Sequence, residues 1–92
     1  MKPFDWSAQK NSVLKRIRGV GFEDVVNAIN DYKVLDVLSH PNPKRYPNQK
    51  VYIVEIDDYA YSCPFVENKD NNFLKTIYPS RKYTKQYLRR KD

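Results

Sequence analysis

The chain has 92 residues, 40% hydrophobic and 14% aromatic, with a formal charge of +6, which describes one small domain with a modest core and argues against disorder. One cysteine, Cys63, and one histidine, His40, exclude an internal disulfide and leave too few soft ligands for structural zinc, so neither metal nor cofactor is expected. No apolar run approaches membrane-spanning length, and the opening residues lack the apolar core of a signal peptide; a cytoplasmic protein with no membrane partner is expected.

In chain order, Phe4-Asp5-Trp6 reads as a short extended piece and Ser7 as a helix N-cap. A helix from about Ala8 to Arg18 follows, with Lys10, Val13, Leu14 and Ile17 on one face. Lys15, Arg16 and Arg18 lie at its electronegative end, and Gly19 is the C-cap. Phe22, Val25, Val26 and Ile29 have the spacing of a second amphipathic helix, with Glu23 and Asp24 in its first turn. After Asp31 the residues favour strands: Val34 to Leu38, Gln49 to Ile56, Tyr59 to Val66 and Phe73 to Tyr78.

Turn residues, Asp57-Asp58 and Asn68 to Asn72, separate the last three strands and predict an antiparallel meander. Pro64 should break or bulge the third strand. The loop His40 to Asn48 is held stiff by three prolines, and a helical turn or two is predicted from Arg81 to Arg90. The fold class is therefore α+β, with two N-terminal helices, an antiparallel sheet of about four strands and a short C-terminal helix.

The charge is uneven. Residues 1–74 carry ten Lys/Arg and ten Asp/Glu, so the whole excess lies in Lys75, Arg81, Lys82, Lys85, Arg89, Arg90 and Lys91 against Asp92. Such a block attracts phosphates by releasing counterions; the competing reading is a solvated basic tail. Tyr78, Tyr83 and Tyr87 interleave with these cations, a mixture suited to single-stranded RNA, although Tyr83 and Tyr87 also have the spacing of a structural helix pair. Arg81 and Lys82 follow a strand at a helix start, where they can meet one phosphate.

A second group lies in the loop: His40 as a candidate general base or acid, Arg45 as a stabiliser of phosphorane charge, and Lys44 and Tyr46 as RNA contacts. Lys75, expected on a strand face with Phe73 and Ile77, is a further candidate. Cys63 alternates with Tyr59, Tyr61 and Phe65 and reads as a buried small hydrophobe.

Phe4-Asp5-Trp6, Lys10, Gly21-Phe22-Glu23, the His40-to-Tyr46 loop and Tyr78-Pro79-Ser80-Arg81-Lys82-Tyr83-Thr84 occur in an order and spacing that resembles BrnT-type toxins of the RelE/ParE toxin–antitoxin ribonuclease superfamily. The resemblance covers nearly the whole chain. It implies a RelE-like domain with two helices on a curved antiparallel sheet, and metal-independent cleavage of RNA through attack of the 2′-hydroxyl on the adjacent phosphate. It also implies a cognate antitoxin, commonly a ribbon-helix-helix protein.

By the same resemblance Arg81, Lys82 and Arg45 match basic positions of the family. The expected catalytic set is then Arg81, Arg45, His40, Lys75 and Tyr83, and the RNA-binding set is Lys82, Lys85, Arg89, Arg90, Lys44 and Tyr46. The chain departs from the family in having Thr76 beside Lys75 where relatives carry an arginine, and in Cys63-Pro64. The alternatives are a non-catalytic nucleic-acid or ribosome-binding module and, by analogy with the ParE branch, a gyrase inhibitor.

Overall fold

The computed structural model describes residues 2–89. In chain order they form β1 (Phe4–Asp5), α1 (Ala8–Arg18), α2 (Phe22–Asn30), β2 (Val34–Ser39), β3 (Gln49–Ile56), β4 (Tyr59–Glu67), β5 (Asn72–Leu74), β6 (Tyr78–Pro79) and α3 (Arg81–Tyr83), which runs into a π-helical turn, Thr84–Leu88.

Both long helices start and stop where local chemistry requires. Ser7 Oγ accepts the Lys10 N–H at 3.2 Å, and Gly19, at φ 73°, closes α1 in the left-handed region open to glycine. The Asp24 carboxylate accepts the Gly21 N–H at 2.8 Å and begins α2. Between the helices, the buried Asn11 donates to the Glu23 carboxylate at 2.9 and 3.0 Å and accepts the Phe22 N–H at 2.7 Å. Gly21 fits this joint because a Cβ there would stand within 2.8 Å of Lys15, Glu23 and Asn11 atoms. Ile17, expected on the apolar face of α1, is instead 63% exposed.

The strands form one six-stranded sheet in the order β1-β5-β4-β3-β2, with β6 beside β5 on the outer edge of β4. The expectation of about four antiparallel strands is corrected here: β1 joins β5 in parallel, so the sheet is mixed. The predicted strand Phe73 to Tyr78 divides into β5 and β6 around the irregular residues 75–77, where Ile77 turns into the core.

Pro64 supplies a reason for that division. β4 is continuous through Pro64, and its register with β3 runs from Gln49↔Val66 to Ile56↔Tyr59 without a shift, so neither the predicted break nor a bulge occurs there. Antiparallel bonds alternate sides. Ala60 and Pro64 point their carbonyls outward, accepting from Ser80 N–H and Lys75 N–H at 2.8 Å each, so the missing donor of Pro64 faces the outer strand rather than β3. The outer strand leaves the ladder beside it. At the other end of β4, Asp57 and Asp58 (φ 52° and 63°) make the two-residue hairpin turn that their side chains favour.

Leu14, Phe22, Val25 and Ala28 pack with Val54, Cys63, Phe65 and Leu74 on one face of the sheet, with Trp6 stacked on Phe22 at 5.7 Å. Cys63 is buried there as expected. Ile53 and Ala60 alternate with these residues and face the other way, yet both are fully buried. The C-terminal segment packs on β4 at that point: Thr84 Oγ1 accepts the Ala60 N–H at 2.8 Å and donates to the Ser80 carbonyl at 2.7 Å. Among the described residues no helix is long and apolar enough to cross a membrane.

Candidate nucleic-acid interface

The C-terminal segment covers only part of this second face. Beyond it, between the His40 loop and the irregular residues 75–77, lies a cleft of about 200 Å³ lined by His40, Pro41, Val51, Pro64, Lys75 and Tyr78, with Gln49 and Thr76 adding polar groups. Val51 and Pro64 are cross-strand partners on the same face as Ile53 and form the apolar floor.

The loop holds His40 firmly. Its backbone N–H donates to Gln49 O at 3.1 Å, and its Nδ1 accepts the Asn42 N–H at 3.0 Å. Tyr46 packs on the imidazole at 4.5 Å between centroids, and the Arg45 guanidinium lies 5.5 Å from the Tyr46 centroid, giving a cation, phenol and imidazole stack. The bond to Nδ1 has a chemical consequence. Neutral His40 must carry its proton on Nε2, so in this geometry it offers a donor and not a general base.

The expected site residues fall into separate groups. His40 and Lys75 share the cleft, and Tyr46 and Arg45 adjoin it through the stack. Lys75 does not lie on a strand face with Phe73 and Ile77: it is exposed in the break between β5 and β6. Lys44 is exposed on the loop.

Arg81, Lys82 and Lys85 are exposed along the C-terminal segment and do not line the cleft. There Lys82 Nζ lies 5.2 Å from the Tyr83 ring, and Tyr83 stacks on Tyr87 at 6.0 Å, the structural pairing that their spacing allowed. Tyr87 O–H donates to Asp36 at 2.6 Å. Arg89 binds Asp58 through both terminal guanidinium nitrogens, at 3.2 and 3.1 Å to the carboxylate and 3.0 Å to the carbonyl; here it is a clasp on the β3–β4 hairpin. Arg90 lies outside the described residues.

Burial removes other nucleophiles from consideration. It pushes the Cys63 thiol up to about 12 and raises the Tyr52 and Tyr61 phenols above their ordinary value, so all three stay protonated. No group of three or more His, Cys, Asp or Glu side chains among the described residues is placed to hold a metal ion. A second hollow, lined by Asp24, Asp31, Glu55 and Asp57 with Lys33, is acidic and disfavours phosphates.

Two contributors escaped the sequence reading. The floor pair Val51 and Pro64 needed the β3–β4 register, and Arg18, which stands outside the cleft with its guanidinium 5.7 Å from the Tyr78 ring centroid, comes from a helix sixty residues away in sequence. The alternating pattern of β3 and β4 held the only signal for the first. The second had none.

The fold and cleft define an α+β domain with helices on one sheet face and a basic-rimmed hollow on the other. No protein-family model matches the chain, and neither a curated protein nor a solved structure matches it.

Proposed function

We propose that the chain is a BrnT-type toxin with a RelE-like arrangement, a metal-independent endoribonuclease of the cytoplasm that is neutralised by a ribbon-helix-helix antitoxin. One observation carries this reading: a small cleft on the sheet face opposite α1 and α2 brings together the imidazole of His40 and the amine of Lys75, with Arg45 stacked behind. A phosphodiester seated there would meet the Nε2–H of His40 and the ammonium of Lys75 as charge grows on the phosphorane oxygens. The 2′-oxygen bonds to phosphorus, the bond to the 5′-oxygen breaks, and the 2′-hydroxyl proton leaves to solvent or a base while the 5′-oxygen gains one. The products are a 2′,3′-cyclic phosphate and a 5′-hydroxyl. Positioning and charge stabilisation would supply most of the rate, because His40 is set to donate.

Purified protein incubated with total RNA in EDTA should yield those ends, and Lys75→Ala should slow cleavage by about a hundredfold, the cost of losing one transition-state donor. Intact RNA together with normal growth on expression would overturn the proposal. The tautomer of His40 also favours a second reading, a binding module that holds RNA in the same cleft without cutting it. Under that reading the protein retains RNA but releases no cyclic-phosphate ends at any pH.

A further inference from the structure

The charge of this chain is concentrated at the C-terminal end of its sequence, but the fold brings a second basic element to the cleft. Tyr78 lines the cleft and is 48% exposed, although it sits in β6 at the sheet edge. On it lies Arg18, from the last turn of α1, at 5.7 Å from the ring centroid. That turn also carries Arg16 and the 63% exposed Ile17, and α1 contains no acidic residue. An exposed aromatic ring backed by a guanidinium, next to a phosphate-sized hollow, has the composition of a stacking platform for an unpaired base: the ring meets the base and the cation meets its phosphate.

We propose that Tyr78 and Arg18 form a second RNA subsite, which receives the nucleotide leaving the cleft and turns the strand around the sheet edge onto the C-terminal end of α1. The inference rests on the RNA-binding reading of the cleft. Single-stranded RNA is the occupant because charge and geometry agree: a duplex would hide the base faces that Tyr78 can stack, whereas an extended strand presents base and phosphate in turn. The Arg18–Tyr78 contact explains why Tyr78 remains exposed at an edge without being folded against the core. The Arg18 guanidinium lies over the ring, and Tyr78 still keeps 48% of its surface open to a ligand.

The test compares two fluorescent probes, a dinucleotide that fills the cleft alone and a decanucleotide that reaches beyond it, both carrying 2′-O-methyl groups so that neither is cut. Arg18→Gln should weaken decanucleotide binding roughly fivefold and lower the slope of log affinity against log salt by about 0.7, the value for one single-strand phosphate contact. Dinucleotide binding should be unchanged. Arg18→Lys should keep the salt slope and lose part of the affinity, because an ammonium keeps the charge but lacks the planar stack.

Equal losses for the two probes, or no loss for the decanucleotide, would overturn the subsite while leaving the cleft as an RNA site. Wild-type protein that binds neither probe would overturn both. Thermal melting of the variants separates these outcomes from misfolding, since Arg18 is exposed and its replacement should leave the melting temperature within a few degrees.

Discussion

On one face of the sheet, α1 and α2 bury Leu14, Phe22, Val25 and Ala28 in a dry apolar cluster; on the other, the C-terminal segment is fastened by Thr84, Tyr87 and Arg89 and covers little more than Ile53 and Ala60. The first kind of burial is non-directional and grows with area, so it stabilises the whole domain. The second depends on a few directional bonds, three of them to the carboxylates of Asp36 and Asp58, and it covers only part of the face. This difference keeps the cleft open: the part of the face that the segment leaves uncovered is where His40, Lys75 and Tyr78 line the hollow. The main apolar core and the candidate site thereby lie on opposite sides of one sheet.

The largest effect that would break this comparison lies on the dry face. Phe22 is fully buried and stacked against Trp6, so Phe22→Ala should cost about 3–5 kcal/mol, a cavity of aromatic size in a close-packed core, and denaturant titration should show it as a lower midpoint. A loss of less than 1 kcal/mol would mean that the helices do not anchor the domain.

A smaller and more local effect belongs to the polar face. Thr84→Val keeps the shape of the side chain and removes the acceptor of the buried Ala60 N–H, which should cost about 1–3 kcal/mol. Hydrogen exchange sharpens the contrast. The amide of Ala60 and those of Thr84–Leu88 should exchange faster in the variant, whereas Val25 in α2 keeps its protection, because the segment opens as a unit separate from the helices. Equal acceleration at Val25 would show that the two faces unfold together.

Local chemistry made much of this fold legible in the sequence. Ser7, Gly19 and the apolar spacing of α2 set the helices, and Asp57-Asp58 set the hairpin, because each of these signals acts within a few residues. What escaped was non-local. The parallel pairing of Phe4-Asp5 with Asn72-Phe73 joins residues at opposite ends of the chain, and Pro64 disturbs its neighbour rather than its own strand. The same holds for the site. His40 and Lys75 were each recognisable as chemistry-bearing residues, but their shared cleft follows from the β3–β4 register and from the break that divides β5 from β6. Arg89 reads as a phosphate contact because charge alone is visible in a sequence, whereas its contact with Asp58, brought to it by a hairpin 31 residues away, is not.

The smallest effect tests a polar joint on the helix side, between α1 and α2. Hydrogen bonding from Asn11, assisted by the nearby Lys15 ammonium at 3.2 Å, holds the Glu23 carboxyl below its ordinary value of 4.5. Because the folded state prefers the charged form, the unfolded chain binds more protons as pH falls. The contribution is therefore complete above the ordinary value and is lost as pH falls through the lower folded one. Glu23→Gln, which resembles the protonated acid, should lose that contribution near neutrality and flatten stability against pH in this window. The two proteins should then differ most near neutrality and converge in acid; the loss is small because the ion pair is half exposed. If the wild-type and variant curves stayed parallel down to pH 3, the Asn11–Glu23 bond would carry no proton-linked stability, and the joint between α1 and α2 would rest on Asn11 and the Phe22 N–H alone.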